Sequence, residues 1–165
     1  MIVIIHGIFG LLSLVSGLAV MLMQKGTLPH RRVGMVYFIS MASLNVLSFF
    51  IYEMWGHWGP FHYMALVSLV TVSAGMVAII YFRHRPKGLE WHYKMMYWSY
   101  VGLLMATGSH VMGPTVQAFR TWGLAGNSAP LLAMAILWGV PCLTGAILIR
   151  RYHRRVFTAT SATHR

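Results

Sequence analysis

Nine histidines stand in a chain of 165 residues that holds only two carboxylates, Glu53 and Glu90. Imidazole ligates zinc, copper and iron, exchanges protons near neutral pH, and in pairs supplies both axial ligands of a b-type haem. The chain carries no Ser-His-Asp set, no H-E-x-x-H and no glycine-rich phosphate loop, so hydrolytic chemistry has no visible machinery. Any chemistry therefore starts from the histidines, and their value depends on the elements that hold them.

Those elements are apolar. Hydrophobic residues make up 58% of the chain and charged ones 9%, with a mean hydropathy of +0.64, whereas a soluble domain carries about 25% charged residues. A formal charge of +11 would point a soluble protein toward nucleic acid. Here the charges fall in short gaps between long apolar runs, so no solvated basic face exists and nucleic acid is not expected as a partner. Crossing a bilayer takes about 20 mostly apolar residues, and five segments qualify: 2–23, 33–52, 62–82, 93–112 and 130–149. Glycine and proline punctuate the gaps, and the alternation of a transmembrane barrel is absent. The expected fold is all-α, one integral membrane domain over 1–165 with five transmembrane helices and a basic tail at 150–165. The first run lacks a basic leader and exceeds a signal-peptide core of ~7–15 residues, so it reads as a retained helix. The lone cysteine, Cys142, rules out an intrachain disulfide and reads as a small core residue.

Lys25, Arg31 and Arg32 occupy the first gap, Arg83, Arg85, Lys87 and Lys94 surround the third, and Arg150, Arg151, Arg154, Arg155 and Arg165 lie in the tail. Arg120 alone falls on the other side. Basic residues concentrate on the cytoplasmic face, which places the N-terminus outside and the C-terminus inside. The lipid bilayer is the first partner, and the location is a multi-pass cell membrane protein.

This topology sorts the histidines into two layers. His6, His57, His62 and His110 lie toward the outer face; His30, His84, His92 and His153 lie at the inner face, with His164 in the tail. In the first span His6, Gly10, Ser13 and Gly17 step by four, three and four residues, a small-residue stripe suited to helix contact. His6 thus heads a packing face. Antiparallel alternation puts His6, His62 and His110 at one level, with Glu53 and His57 as further candidates. Three histidines with or without a carboxylate suit a transition metal (zinc, copper or iron), and two suit haem b. His6 and His110 are the expected ligands, His62 a third ligand or proton relay, and Glu53 an acceptor that orients a ligand. Gly7, Gly10, Gly108, Ser109 and Gly113 either leave room for a macrocycle or let helices touch.

The inner histidines precede arginines at helix ends, as headgroup contacts do. Their second reading is another redox or ligand site in which Tyr37, Tyr97 and Tyr100 line a pocket for a quinone-like molecule. His92 and His110 are about 27 Å apart along one helix, too far to serve one stacked two-haem core. The thirteen methionines are spread over all spans and read as filler.

His6-Gly7 ahead of a glycine-bearing span, His30-Arg31-Arg32-Val33-Gly34 with Tyr37, and His92-Tyr93-Lys94-Met95-Met96 with Tyr100 together resemble a bacterial family of predicted membrane proteins, domain of unknown function 2306. The resemblance implies a small multi-helix protein with intramembrane histidines, placed in a bacterial inner membrane, and implies no activity. From the residues, the leading expectation is electron transfer between a quinol-like carrier and an acceptor at the outer face. Two alternatives are a non-enzymatic accessory subunit of a larger membrane complex and a metal- or proton-coupled carrier.

Overall fold

The computed structural model describes residues 1–52 and 56–153. Glu53, Trp55 and the tail beyond His153 lie outside the described residues. What is described is helical: α1 (Ile2–Leu22), α2 (Leu28–Ser48), α3 (Pro60–Phe82), α4 (Pro86–His110), α5 (Met112–Thr121), α6 (Ala129–Met134) and α7 (Val140–His153). A 3-10 turn, Gly126–Ser128, leads into α6, and a π-helical turn, Ala135–Gly139, joins α6 to α7. No strand occurs among the described residues. Three helical runs are long and apolar enough to cross a membrane: Ile2–Leu22, Pro60–Phe82 and Gly126–Arg151. With 21 and 25 residues, α2 and α4 have the length but carry more polar side chains.

Both of these helices begin ahead of their apolar stretches. Thr27 caps α2, its hydroxyl accepting the His30 N–H at 3.4 Å, and Pro29 sits in the first turn. Pro86 likewise opens α4. A first-turn proline gives up an N–H that the helix does not use. The starts at 33 and 93 expected from hydropathy alone are therefore early helix, not gap. Between α1 and α2, Gly26 turns the chain at φ +80°, and Lys25 Nζ donates to the carbonyls of Val20, Met21 and Met23 at 2.8, 2.7 and 3.2 Å. Those carbonyls have no intrahelical partners of their own.

The chain divides into two compact units, Met1–Ser99 and Tyr100–Arg165, with the boundary inside α4. In the first, α1 packs on α2 and α2 on α3. Of the expected stripe on α1, Ser13 and Gly17 are buried, with Ser16 beside them in sequence, and His6 and Gly10 are half-buried. Around it the unit is polar within and apolar without. Ser13, Ser40 and Ser99 are buried beside Tyr37, Met41 and Val72, while Ile4, Ile8, Leu11, Val15, Val67 and Val70 face outward. Burying hydroxyls while exposing aliphatic side chains is the arrangement lipid favours, since hydrocarbon gives unpaired polar groups no partner.

In the second unit, Pro141 has no N–H for the carbonyl four residues back, and that residue, Leu137, lies in the π-helical turn. Its carbonyl is turned toward Gly108, where an added Cβ would sit 3.0 Å away, and Trp138 Nε1–H donates to Ser109 Oγ at 3.1 Å. Gly108 and Ser109 therefore lie at a helix contact. The expected gap at 113–127 contains a helix, α5, which packs on α6 and buries none of its residues.

Candidate functional site

At the end of the first unit where α3 begins, His62 is 4% exposed. Its Nδ1 accepts the Gly59 N–H at 3.1 Å, closing the first turn of α3 as an N3 side chain does in a capping box. An accepting Nδ1 puts the neutral ring's proton on Nε2, and that atom is buried with no hydrogen-bond partner. The ring stacks with Tyr52 at 5.5 Å and with Trp58 at 5.4 Å, and Trp58 in turn stacks on Phe49. A metal on Nε2 would need the other tautomer and would break the Gly59 bond.

His6 is held differently. It is half-buried on the packing face of α1, with Nδ1 3.5 Å from Ser48 Oγ near the end of α2. Ser48 spends its proton on the Leu44 carbonyl at 2.9 Å. Its oxygen is then placed to accept from His6 Nδ1–H. His57 is exposed in the loop before α3, and Glu53 lies outside the described residues. His110 ends α4 in the second unit and is exposed. Among the described residues, no three His, Cys, Asp or Glu side chains are grouped to hold a metal ion.

The opposite end of the same unit gathers Lys25, His30 and His92. His92 Nδ1–H donates to the Gly75 carbonyl at 2.8 Å. Gly75 permits this approach, because a Cβ there would lie 2.8 Å from Met96 Sδ and 3.2 Å from Met95 Cβ. His30 Nδ1 is buried without a hydrogen-bond partner. Burial, then the charges of Lys25 and His92, hold the His30 pKa below the ordinary histidine value, against a smaller upward pull from the Val20 carbonyl. Burial also lowers that of Lys25. His84 is exposed and accepts from Arg83 Nε at 3.0 Å.

Between these ends lie buried polar groups. Ser99 Oγ donates to the Met96 carbonyl at 2.8 Å, so the Tyr37 hydroxyl is the donor in the 2.9 Å bond joining α2 to α4. Asn45 Nδ2 donates to the Met41 carbonyl, and Ser40 and Ser16 donate back along their helices. Ser13 Oγ is buried without a hydrogen-bond partner. Of the other expected tyrosines, Tyr97 packs on Tyr93 at 4.4 Å. Sequence reasoning named Ser13 but missed Ser40, Asn45, Ser48, Ser99 and Gly75. The signal was available on α2: the eighteen residues from His30 to Ser48 make about five whole turns, and Tyr37 falls within about 20° of the same face.

The chain matches the family "Predicted membrane protein (DUF2306)" over residues 3–152 and belongs to it. No curated protein and no solved structure matches it. Family and apolar spans together make this a multi-pass membrane protein.

Proposed function

We propose that this DUF2306 member is a five-span redox protein, N-terminus outside and C-terminus cytoplasmic, that passes electrons from a quinol-like carrier to an acceptor at the outer face. The basic residues of the first and third gaps and the tail support the orientation. Lipid facing the apolar stretches of α2 and α4 brings the spans to five.

The observation that carries the functional reading is the seam inside the first unit. Buried hydroxyl and amide groups run between His6 and His62 at one end and His30 and His92 at the other, within an apolar exterior. A quinol losing two electrons also loses two protons, so its oxidation needs groups that accept protons as well as a centre that accepts electrons. Imidazoles and hydroxyls are such groups. His6, on the packing face of α1 beside Ser48, is the ligand we assign in this unit, and His62, with its proton on Nε2, the relay. With no three His, Cys, Asp or Glu side chains grouped among the described residues, haem b, which takes two ligands, is the centre we propose, with copper or iron the redox-active alternatives. A bound haem or metal would supply the one-electron steps.

Visible spectra of the purified protein, oxidised and dithionite-reduced, with elemental analysis of the same sample, test this. A Soret band with sharp reduced α and β bands is expected, lost in His6→Ala; His110→Ala asks the same of the second unit. A colourless, metal-free protein would refute the redox reading. The seam also favours a second reading, a proton-coupled carrier, which predicts proton flux in proteoliposomes from that same colourless protein. The accessory-subunit reading draws less support, since Ser13 and Gly17 of the α1 stripe are already buried within the first unit.

A further inference from the structure

Away from the seam, the first unit turns sharply where the basic residues gather. Gly88 at the start of α4 lies so close to the Phe82 carbonyl that any side chain there would collide with it. The tight turn leaves a cleft of about 360 Å³ between the end of α3 and the start of α4. Ala74 and Ala78, one helical turn apart, are small enough to keep it open, and Phe82 and Trp91 wall it. Arg85 and Lys87 complete the lining, and both are exposed. The Arg85 guanidinium lies 6.0 Å from the centre of the Phe82 ring.

Glu90, about one turn along α4 from Lys87, is ion-paired with Lys94. An apolar groove with two cations therefore sits where an apolar span ends, which is where a bilayer's headgroups begin. Trp91, 57% exposed, has the amphipathic ring that settles at that level. Apolar length with cations at one end matches an acyl chain joined to a phosphate, and basic pockets between helices on the cytoplasmic side suit anionic headgroups.

We propose that the α3–α4 cleft is a binding site for an anionic phospholipid, its acyl chain along Ala74 and Ala78 and its phosphate on Arg85 and Lys87. Native mass spectrometry of the full-length protein in detergent tests it, with phosphatidylglycerol and phosphatidylcholine of identical acyl chains as probes. One phosphatidylglycerol is expected to be retained with about tenfold or greater preference. The double variant Arg85→Gln/Lys87→Gln should bring the preference close to one. Ala78→Leu, which fills the groove and leaves the cations in place, should weaken retention of both lipids. Arg150→Gln/Arg151→Gln should change neither. Equal retention of the two lipids by the unaltered protein overturns the proposal, as does a preference that survives Arg85→Gln/Lys87→Gln or disappears in Arg150→Gln/Arg151→Gln. Unchanged retention of both lipids in Ala78→Leu overturns the acyl-chain placement.

Discussion

Removing the His62 side chain separates a structural histidine from a ligand. In His62→Ala the α3 N-terminus loses the acceptor for the Gly59 N–H, a cap of the kind that contributes about 0.5–2 kcal/mol. The stacks on Tyr52 and Trp58 go with it, at about 0.5–1.5 kcal/mol for such ring pairs. One term opposes these: Nε2 is buried without a partner, and deleting an unsatisfied donor recovers about 1–3 kcal/mol. The net is a loss of about 1–2 kcal/mol, or a fall of roughly 2–6 °C in the unfolding midpoint for a chain of this size. Circular dichroism melts in detergent read it. His62→Gln discriminates, because a Gln at N3 can accept the same N–H while losing the stacks, so its midpoint should lie between those of His62→Ala and the unaltered protein. Any haem or metal bound should survive both substitutions. Unchanged stability in His62→Ala, or a His62→Gln protein no better than the alanine variant, would refute the cap. A well-folded His62→Gln protein that has lost its centre would make His62 a ligand.

The cluster of Lys25, His30 and His92 predicts a pH response. His30 has a pKa held below the ordinary value, so the unfolded chain binds more protons than the folded one and stability rises with pH. Melts should show the midpoint climbing as pH rises from the depressed value through about 6.5, with that step absent in His30→Gln and smaller in Lys25→Gln, which removes the charge contribution. A step of equal size in all three proteins would defeat the assignment. For the Tyr37–Ser99 bond, a double-mutant cycle of Tyr37→Phe and Ser99→Ala should return a coupling of about 0.6–1.5 kcal/mol, the range for hydrogen bonds between membrane helices; strict additivity would show that the two hydroxyls do not interact. Gly75→Ala should destabilise by about 1–3 kcal/mol through overpacking against Met95 and Met96, and a neutral result would mean that α4 can retreat at no cost.

What was legible in the residues alone followed from periodicity. The step from His6 through Gly10 and Ser13 to Gly17 marks the buried face of α1 because small residues at a helical spacing have one use in a bilayer. Helix starts were less legible. Pro29 and Pro86 look like breaks in a hydropathy trace, yet each lies in a first turn, so the polar residues just after them, His30 and His92, belong to helices. Ten residues of mixed polarity containing Gly113 and Pro114 concealed α5, although Met112, Val116 and Phe119 have helical spacing. The role of His62 was illegible for another reason: which ring nitrogen accepts depends on the Gly59 N–H, and spacing carries no information about a tautomer.

The apolar helices α1 and α3 carry the assigned ligand and relay, His6 and His62, near their starts, but hydropathy passes over the helices that supply most of the buried polar groups between them. The three runs apolar enough to span on composition are those whose side chains mostly face outward, with 17%, 28% and 17% of their windows buried. By contrast α2 supplies His30, Tyr37, Ser40, Asn45 and Ser48, and α4 supplies His92 and Ser99. The uncharged polar side chains that contribute to the low apolarity of α2 and α4, Tyr37, Ser40, Asn45 and Ser99, are buried inside the first unit, whereas the charged ones, Arg31, Arg32 and Lys87, are exposed at the helix starts. In a soluble protein, buried hydroxyls would be offset by an apolar core; here the apolar surface is given to lipid and the polar groups have only each other. Uncharged polar residues in the middle of a helix of spanning length are then a pointer to the interior, and they are the first to substitute.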